Sequence, residues 1–112
     1  MLVLVLVQAI DYAVESQAFE HAFELSKIGA KHKLMDVHYK YAMFLEDEGR
    51  FKEAEEEFVK AEKPREAIDM YLHNQDWANS MRVAETCDPG SKSDVFVAQA
   101  NQIKSSALAS SL

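Results

Sequence analysis

The chain has 112 residues, 48% of them apolar and 28% charged, the make-up of a folded domain with a modest core and not of a disordered tail. Its 19 acidic and 12 basic side chains leave a formal charge of −7, which excludes an intrinsic grip on nucleic acid or anionic lipid, since both need clustered Lys and Arg. Three glycines and two prolines offer little turn chemistry for a sheet and favour an all-α protein, while the single cysteine, Cys87, excludes an internal disulfide framework and fits a reducing compartment.

The opening "MLVLVLV" has no positive flank and no small-residue cleavage pattern, and it falls far short of the ~20 apolar residues that span a bilayer, so neither export nor membrane insertion is expected. It flows into "QAIDYAVES", where Val3, Leu6, Val7, Ile10, Ala13 and Val14 keep helical spacing. Leu2, Leu4 and Val5 make the first turns apolar all round. A helix apolar on every side is normally buried on every side, so this end is expected to pack against something further, either a preceding element or a second copy of the chain.

Apolar periodicity then predicts paired helices over 3–16 and 18–31, 34–48 and 51–62, and 64–74 and 76–87, with a last helix over 91–105. Pro64 stands where a first-turn proline belongs, and Asp88-Pro89 reads as a cap and first-turn proline for the last helix. Short links force sequential helices to lie antiparallel. From Ser105 on, "SSALASSL" loses its apolar rhythm. Residues 1–105 are therefore read as one helical domain and 106–112 as a frayed helix end or flexible tail.

The paired segments repeat one another. Phe19, Phe51 and Trp77 align, as do Ala22, Ala54 and Ser80, then Ser26, Phe58 and Ala84, then Gly29, Ala61 and Cys87. A ring followed after three residues by a small side chain lets two helix axes approach to about 8–10 Å. Cys87 is expected to be buried and inert, as free cysteines commonly are.

The middle copy, with Ala42, Leu45, Gly49, Phe51, Ala54, Phe58 and Ala61, resembles the tetratricopeptide repeat: a small residue in the first helix, a glycine, an aromatic, then Ala-x3-aromatic-x2-Ala. The outer copies depart from it, with Ile10 and Ile68 at the small first-helix position and Ser80 for an alanine. The stretch 37–89, with "KYAMFLEDEGRFKEAE" and "HNQDW", further resembles the helical-repeat region of scaffold subunits of the intraflagellar transport B complex. That resemblance implies a tetratricopeptide-like α-solenoid fragment of about seven antiparallel helices. It also implies a non-catalytic role in protein binding, cilium assembly and ciliary transport, partners among other transport subunits or cargo, and a cytoplasmic and ciliary location. By motif position, the groove-facing first helices would present Asp11, Tyr39, Met43, Glu46, Asp47, Arg65, Asp69 and His73, a set with more acids than bases, suited to a basic segment.

The residues give catalysis and metal binding little to work with. Paired catalytic carboxylates need a pocket that separates their pKa values, whereas Glu48, Glu53, Glu55, Glu56 and Glu57 share a helix surface with Lys52 and Lys60 and read as a solvated face carrying Glu48–Lys52 and Glu56–Lys60 pairs. His32, Asp36 and His38 lack metal-ligand spacing and straddle an expected helix break. His73 is expected at a helix end, where the dipole favours a cation. Trp77 and the tyrosines have no basic track beside them and read as core filling rather than a base-stacking platform, as do Met43, Met70 and Met81. No cofactor is implied. The alternative role is an acidic tetratricopeptide-like adaptor binding a basic peptide outside cilia, but a clamp for a peptide carboxylate would need more basic groove residues than Arg65.

Overall fold

The computed structural model describes residues 2–110, and among these it contains seven α-helices, two short 3-10 turns and no strand. The helices are α1 (Leu2–Glu15), α2 (Phe19–Gly29), α3 (Leu34–Asp47), α4 (Phe51–Lys60), α5 (Pro64–His73), α6 (Trp77–Cys87) and α7 (Lys92–Ser110). The helical hairpins foreseen from periodicity are all present, and Pro64 opens α5 as expected. Pro89 instead opens a 3-10 turn, Pro89–Ser91, that leads into α7, because the backbone N–H of Ser91 reaches the carbonyl of Asp88 at 2.9 Å. The helix of α7 continues to Ser110; residues 111–112 of the expected tail, and the side chain of Val3 in the α1 stripe, lie outside the described residues.

The chain divides into two compact units, Met1–Lys63 and Pro64–Leu112. In the first, hairpins α1/α2 and α3/α4 pack with α2 against α3. Its core gathers Ile10, Ala13, Ala22, Ala30 and Val37, with Leu6, Val7, Val14, Phe23 and Leu25 packed around them. Gly29 permits a close approach within α1/α2, since a methyl there would stand 3.0 Å from Leu6 Cδ2. In the second unit, hairpin α5/α6 buries Ala67, Ile68, Met70, Tyr71, Ser80, Val83 and Ala84, and α7 adds Val95 against α6.

The three hairpins close by the same backbone device. Gln17, Gly49 and Gln75 all adopt left-handed φ, at 63°, 79° and 58°. In each case that residue's N–H bonds back three residues (to Val14, Glu46 and Leu72) and the next N–H bonds back five (to Ala13, Leu45 and Tyr71), at 2.8–3.1 Å. This is the Schellman arrangement, which satisfies the last carbonyls of the first helix. The chain then passes through Ala18, Arg50 or Asp76, whose φ values are −90°, −93° and −92°, and the aromatic at the repeat's head, Phe19, Phe51 or Trp77, becomes the first residue of the second helix.

The register read from the repeats holds in the burial of these positions. Ala22, Ala54 and Ser80 are fully buried, as are Ile10, Ala42 and Ile68 in the first helices and Ser26, Phe58 and Ala84 one turn on. Buried hydroxyls are satisfied locally: Ser26 Oγ donates to the Ala22 carbonyl at 2.8 Å and Ser80 Oγ to that of Trp77 at 2.9 Å. Three expectations are corrected. Cys87 is exposed, standing as the last residue of α6 at the helix end and not within its packed face. Glu55, read as part of a solvated face, is only 8% exposed, since Ala54, Phe58 and it occupy the buried side of α4. On α4 Lys52 pairs with Glu55 and Lys60 with Glu57, each at 3.7 Å and spaced i, i+3, in place of the i, i+4 pairs anticipated for these lysines.

Candidate functional site

In the first unit, Asp11 projects from α1 and is held by Lys33 Nζ at 3.1 Å, which also reaches Asp36 at 3.4 Å. Partial burial opposes the Lys33 charge, but these carboxylates more than offset it and raise its pKa above the usual lysine value. Tyr39 is half-buried, edge-on to Phe58 with ring centroids 5.9 Å apart, and Lys63 Nζ stands 5.3 Å from its ring centre. It lines a depression of about 370 Å³ with Met35, Asp36, Ala61 and Lys63. Met43 and Asp47 are exposed, one turn apart on α3, and line a different depression of about 330 Å³ beside Glu15 and Phe44, while Glu46 is half-buried. Tyr39 thus falls on one depression of α3 and Met43 and Asp47 on another, Glu46 lines neither, and Asp11 is drawn into a lysine-centred cluster.

In the second unit, Arg65, Asp69 and His73 stand four residues apart along α5. Arg65 Nε donates to Asp69 Oδ1 at 3.3 Å, and Nη1 reaches Asp94 of α7 at 2.9 Å and Ser91 Oγ at 3.1 Å. Desolvation works against the guanidinium, yet the two aspartates together hold its pKa above the ordinary arginine value. His73 Nδ1 donates to the Asp69 carbonyl at 2.9 Å in the last turn, the helix-end position anticipated for it. The acids of this set are therefore less available than their number suggests: Asp11 and Asp69 already have basic partners.

A feature the sequence reading missed lies on the seam of α2 and α3. Phe19 and Phe23 face Tyr41 and Phe44, with Phe19 4.7 Å from Tyr41 and 5.3 Å from Phe44 between centroids. These rings line a groove of about 630 Å³ with Glu20 and His21. At its far end Phe23 packs 4.6 Å from His38, whose Nδ1 meets Glu57 Oε2 at 2.5 Å and ties α3 to α4. The signal was present as i, i+4 spacing of Phe19 and Phe23 and i, i+3 spacing of His38, Tyr41 and Phe44, but each ring taken alone reads as core.

Other candidate residues are scattered. His32 is exposed in the 3-10 turn Lys31–Lys33, Asp36 pairs with Lys33, and His38 pairs with Glu57, so these three do not converge. Among the described residues, no group of three or more His, Cys, Asp or Glu is placed to hold a metal ion. Trp77 and Tyr41 are half-buried, Tyr71 is buried and Tyr12 is 73% exposed. Met70 fills core, whereas Met43 is exposed. No helix among the described residues is long and apolar enough to cross a membrane.

Comparison with known proteins gives the geometry a relative. Intraflagellar transport protein 172 of Chlamydomonas reinhardtii is 65% identical over 92 residues, which is 82% of this chain and 5% of that protein. The Homo sapiens homolog of intraflagellar transport protein 172 is 58% identical over 92 residues with the same coverage. Intraflagellar transport protein osm-1 of Caenorhabditis elegans is 39% identical over 97 residues, 87% of this chain and 6% of the relative. The chain spans about one-twentieth of the curated relatives it matches, and the resemblance read from residues 37–89 is borne out. The family model of the ELP1 TPR domain matches residues 5–108, a range that takes in all three aromatic-headed hairpins and most of α7, and the chain accordingly belongs to the ELP1 TPR domain family of helical repeats.

Proposed function

We propose that this chain is a non-catalytic protein-binding segment of an intraflagellar transport B complex subunit, acting as scaffold in cilium assembly and ciliary transport. The observation that carries the reading is 65% identity over 92 residues to an intraflagellar transport protein, on a chain built of hairpins whose closing turns are all alike. Its partners are other transport subunits or cargo, and its place is the cytoplasm and the cilium. First-helix residues contact them: Asp11, Tyr39, Met43, Glu46 and Asp47 on one unit and Arg65, Asp69 and His73 on the other. The apolar start of α1, where Leu2 is 86% exposed and Leu4 and Val5 are each 62% exposed, serves association with a second copy, since patches of this kind are seldom left open on monomers.

A replacement experiment tests the assignment. In Chlamydomonas cells lacking intraflagellar transport protein 172, that protein with its matching segment exchanged for this chain is expected to restore flagella. A chimera that accumulates at normal level and leaves the cells without flagella would overturn the reading.

A further inference from the structure

We propose that the seam between α2 and α3 is a docking surface for an arginine-bearing apolar segment of a partner protein. Five rings alternate across it, three from α3 and two from α2. Phe44 lies 5.3 Å from Phe19, Phe19 4.7 Å from Tyr41, Tyr41 5.8 Å from Phe23 and Phe23 4.6 Å from His38, centroid to centroid. One ring per helical turn produces this ladder. Phe19 is buried and anchors it, while the other four are half-buried and keep part of each ring open. None of the four carbocyclic rings belongs to the first-helix set that the repeat motif implies, and the surface does not depend on the assignment to intraflagellar transport.

Charge decides what the groove takes. Its charged lining residue is Glu20, exposed on the rim; on the other side of Phe19 and Phe44 the rim continues with Glu15 and Asp47 against one lysine, Lys40, and at the Phe23–His38 end with Glu24 and Glu57 against Lys27 and Lys60, of which Lys60 pairs with Glu57. Arg50 of this chain is taken up by its ion pair with Glu53. Aromatic faces attract a guanidinium, which stacks on them while a carboxylate at the edge accepts its N–H groups. An acidic segment would meet Glu20 and a chain of charge −7. A wholly apolar one would bury the Glu20 carboxylate without a partner, which is costly. Nucleic acid would find its bases a stacking platform but no basic track for its phosphates.

The test uses the full isotope-labelled chain and a capped helical peptide carrying leucine and arginine one turn apart, with a twin in which neutral citrulline replaces arginine. The arginine peptide is expected to give saturable shifts of the amides of Phe19, Phe23, Tyr41 and Phe44. The citrulline twin should bind more weakly by roughly threefold to thirtyfold, the range of a cation on a ring face. Glu20→Lys, an exposed change that leaves the rings and the fold intact, should weaken the arginine peptide likewise. Equal binding of the two peptides, unchanged binding to the Glu20→Lys protein, or shifts centred on α1 or α7 would overturn the proposal.

Discussion

Gln17 and Gln75 occupy the same left-handed corner as Gly49, and the difference between them is energetic. A side chain at such a φ costs roughly 1 kcal/mol through Cβ crowding, a cost glycine avoids. Gln75→Gly is therefore expected to raise stability by up to about 1 kcal/mol in urea denaturation and Gly49→Ala to lower it by a similar amount; space is not the issue at Gly49, where a Cβ would meet nothing within 4 Å. Burial ranks the substitutions on α4. Phe58, 1% exposed, should lose about 3–5 kcal/mol on change to alanine. Glu55→Ala should cost about 1 kcal/mol through its lost polar contacts, whereas the exposed Glu56→Ala should fall within about 0.5 kcal/mol of the parent. Equal melting shifts for Glu55→Ala and Glu56→Ala would contradict the buried position of Glu55. Residue type could not separate these neighbours in sequence, because five glutamates crowd residues 48–57 and only helical phase against α3 decides which turns inward.

Hairpins, as elements, were more legible than the residues on them. The alternation of ring, small residue and apolar residue fixes the phase of α2, α4 and α6, and the structure places Ala22, Ala54 and Ser80 at the buried crossings foreseen. The aromatic seam was not legible, since it depends on which face of α2 meets which face of α3, information carried by packing and not by either helix alone. Capping was half-legible. Asp76 caps α6 by accepting from the Asn79 N–H at 3.3 Å, while Ala18, with similar backbone angles at the head of α2, has no side chain to do so. Ala18→Asp is accordingly expected to stabilise by about 0.5–2 kcal/mol and Asp76→Ala to destabilise by a comparable amount, both readable from thermal melts. At α1, light scattering at rising concentration should report a species heavier than the monomer, and replacing Leu4 and Val5 by lysine should return it to monomer. A clean monomer throughout would exclude the self-pairing reading.

For the molecule as a whole, the acid excess that sequence alone displays becomes a weaker field once internal partners are counted, because Lys33 and Arg65 each satisfy two aspartates. Asp47, exposed at the end of α3, keeps its carboxylate toward water. Charge reversal of Asp47 and Asp69 together should weaken capture of a basic partner from ciliated cells, and binding should fall as salt rises, since exposed charges are screened over about 8–10 Å at physiological ionic strength. Capture unaffected by the double reversal would remove the first helices from the binding surface. A last consequence follows from the way each hairpin is closed. Glycine and glutamine both serve as the pivot, at different energetic cost, and phenylalanine and tryptophan as the residue after the bend, so the joint tolerates spelling changes while keeping its backbone conformation. Such a unit can be copied end to end and then drift in sequence without redesign of its corners, which gives gene duplication a cheap route to very long proteins.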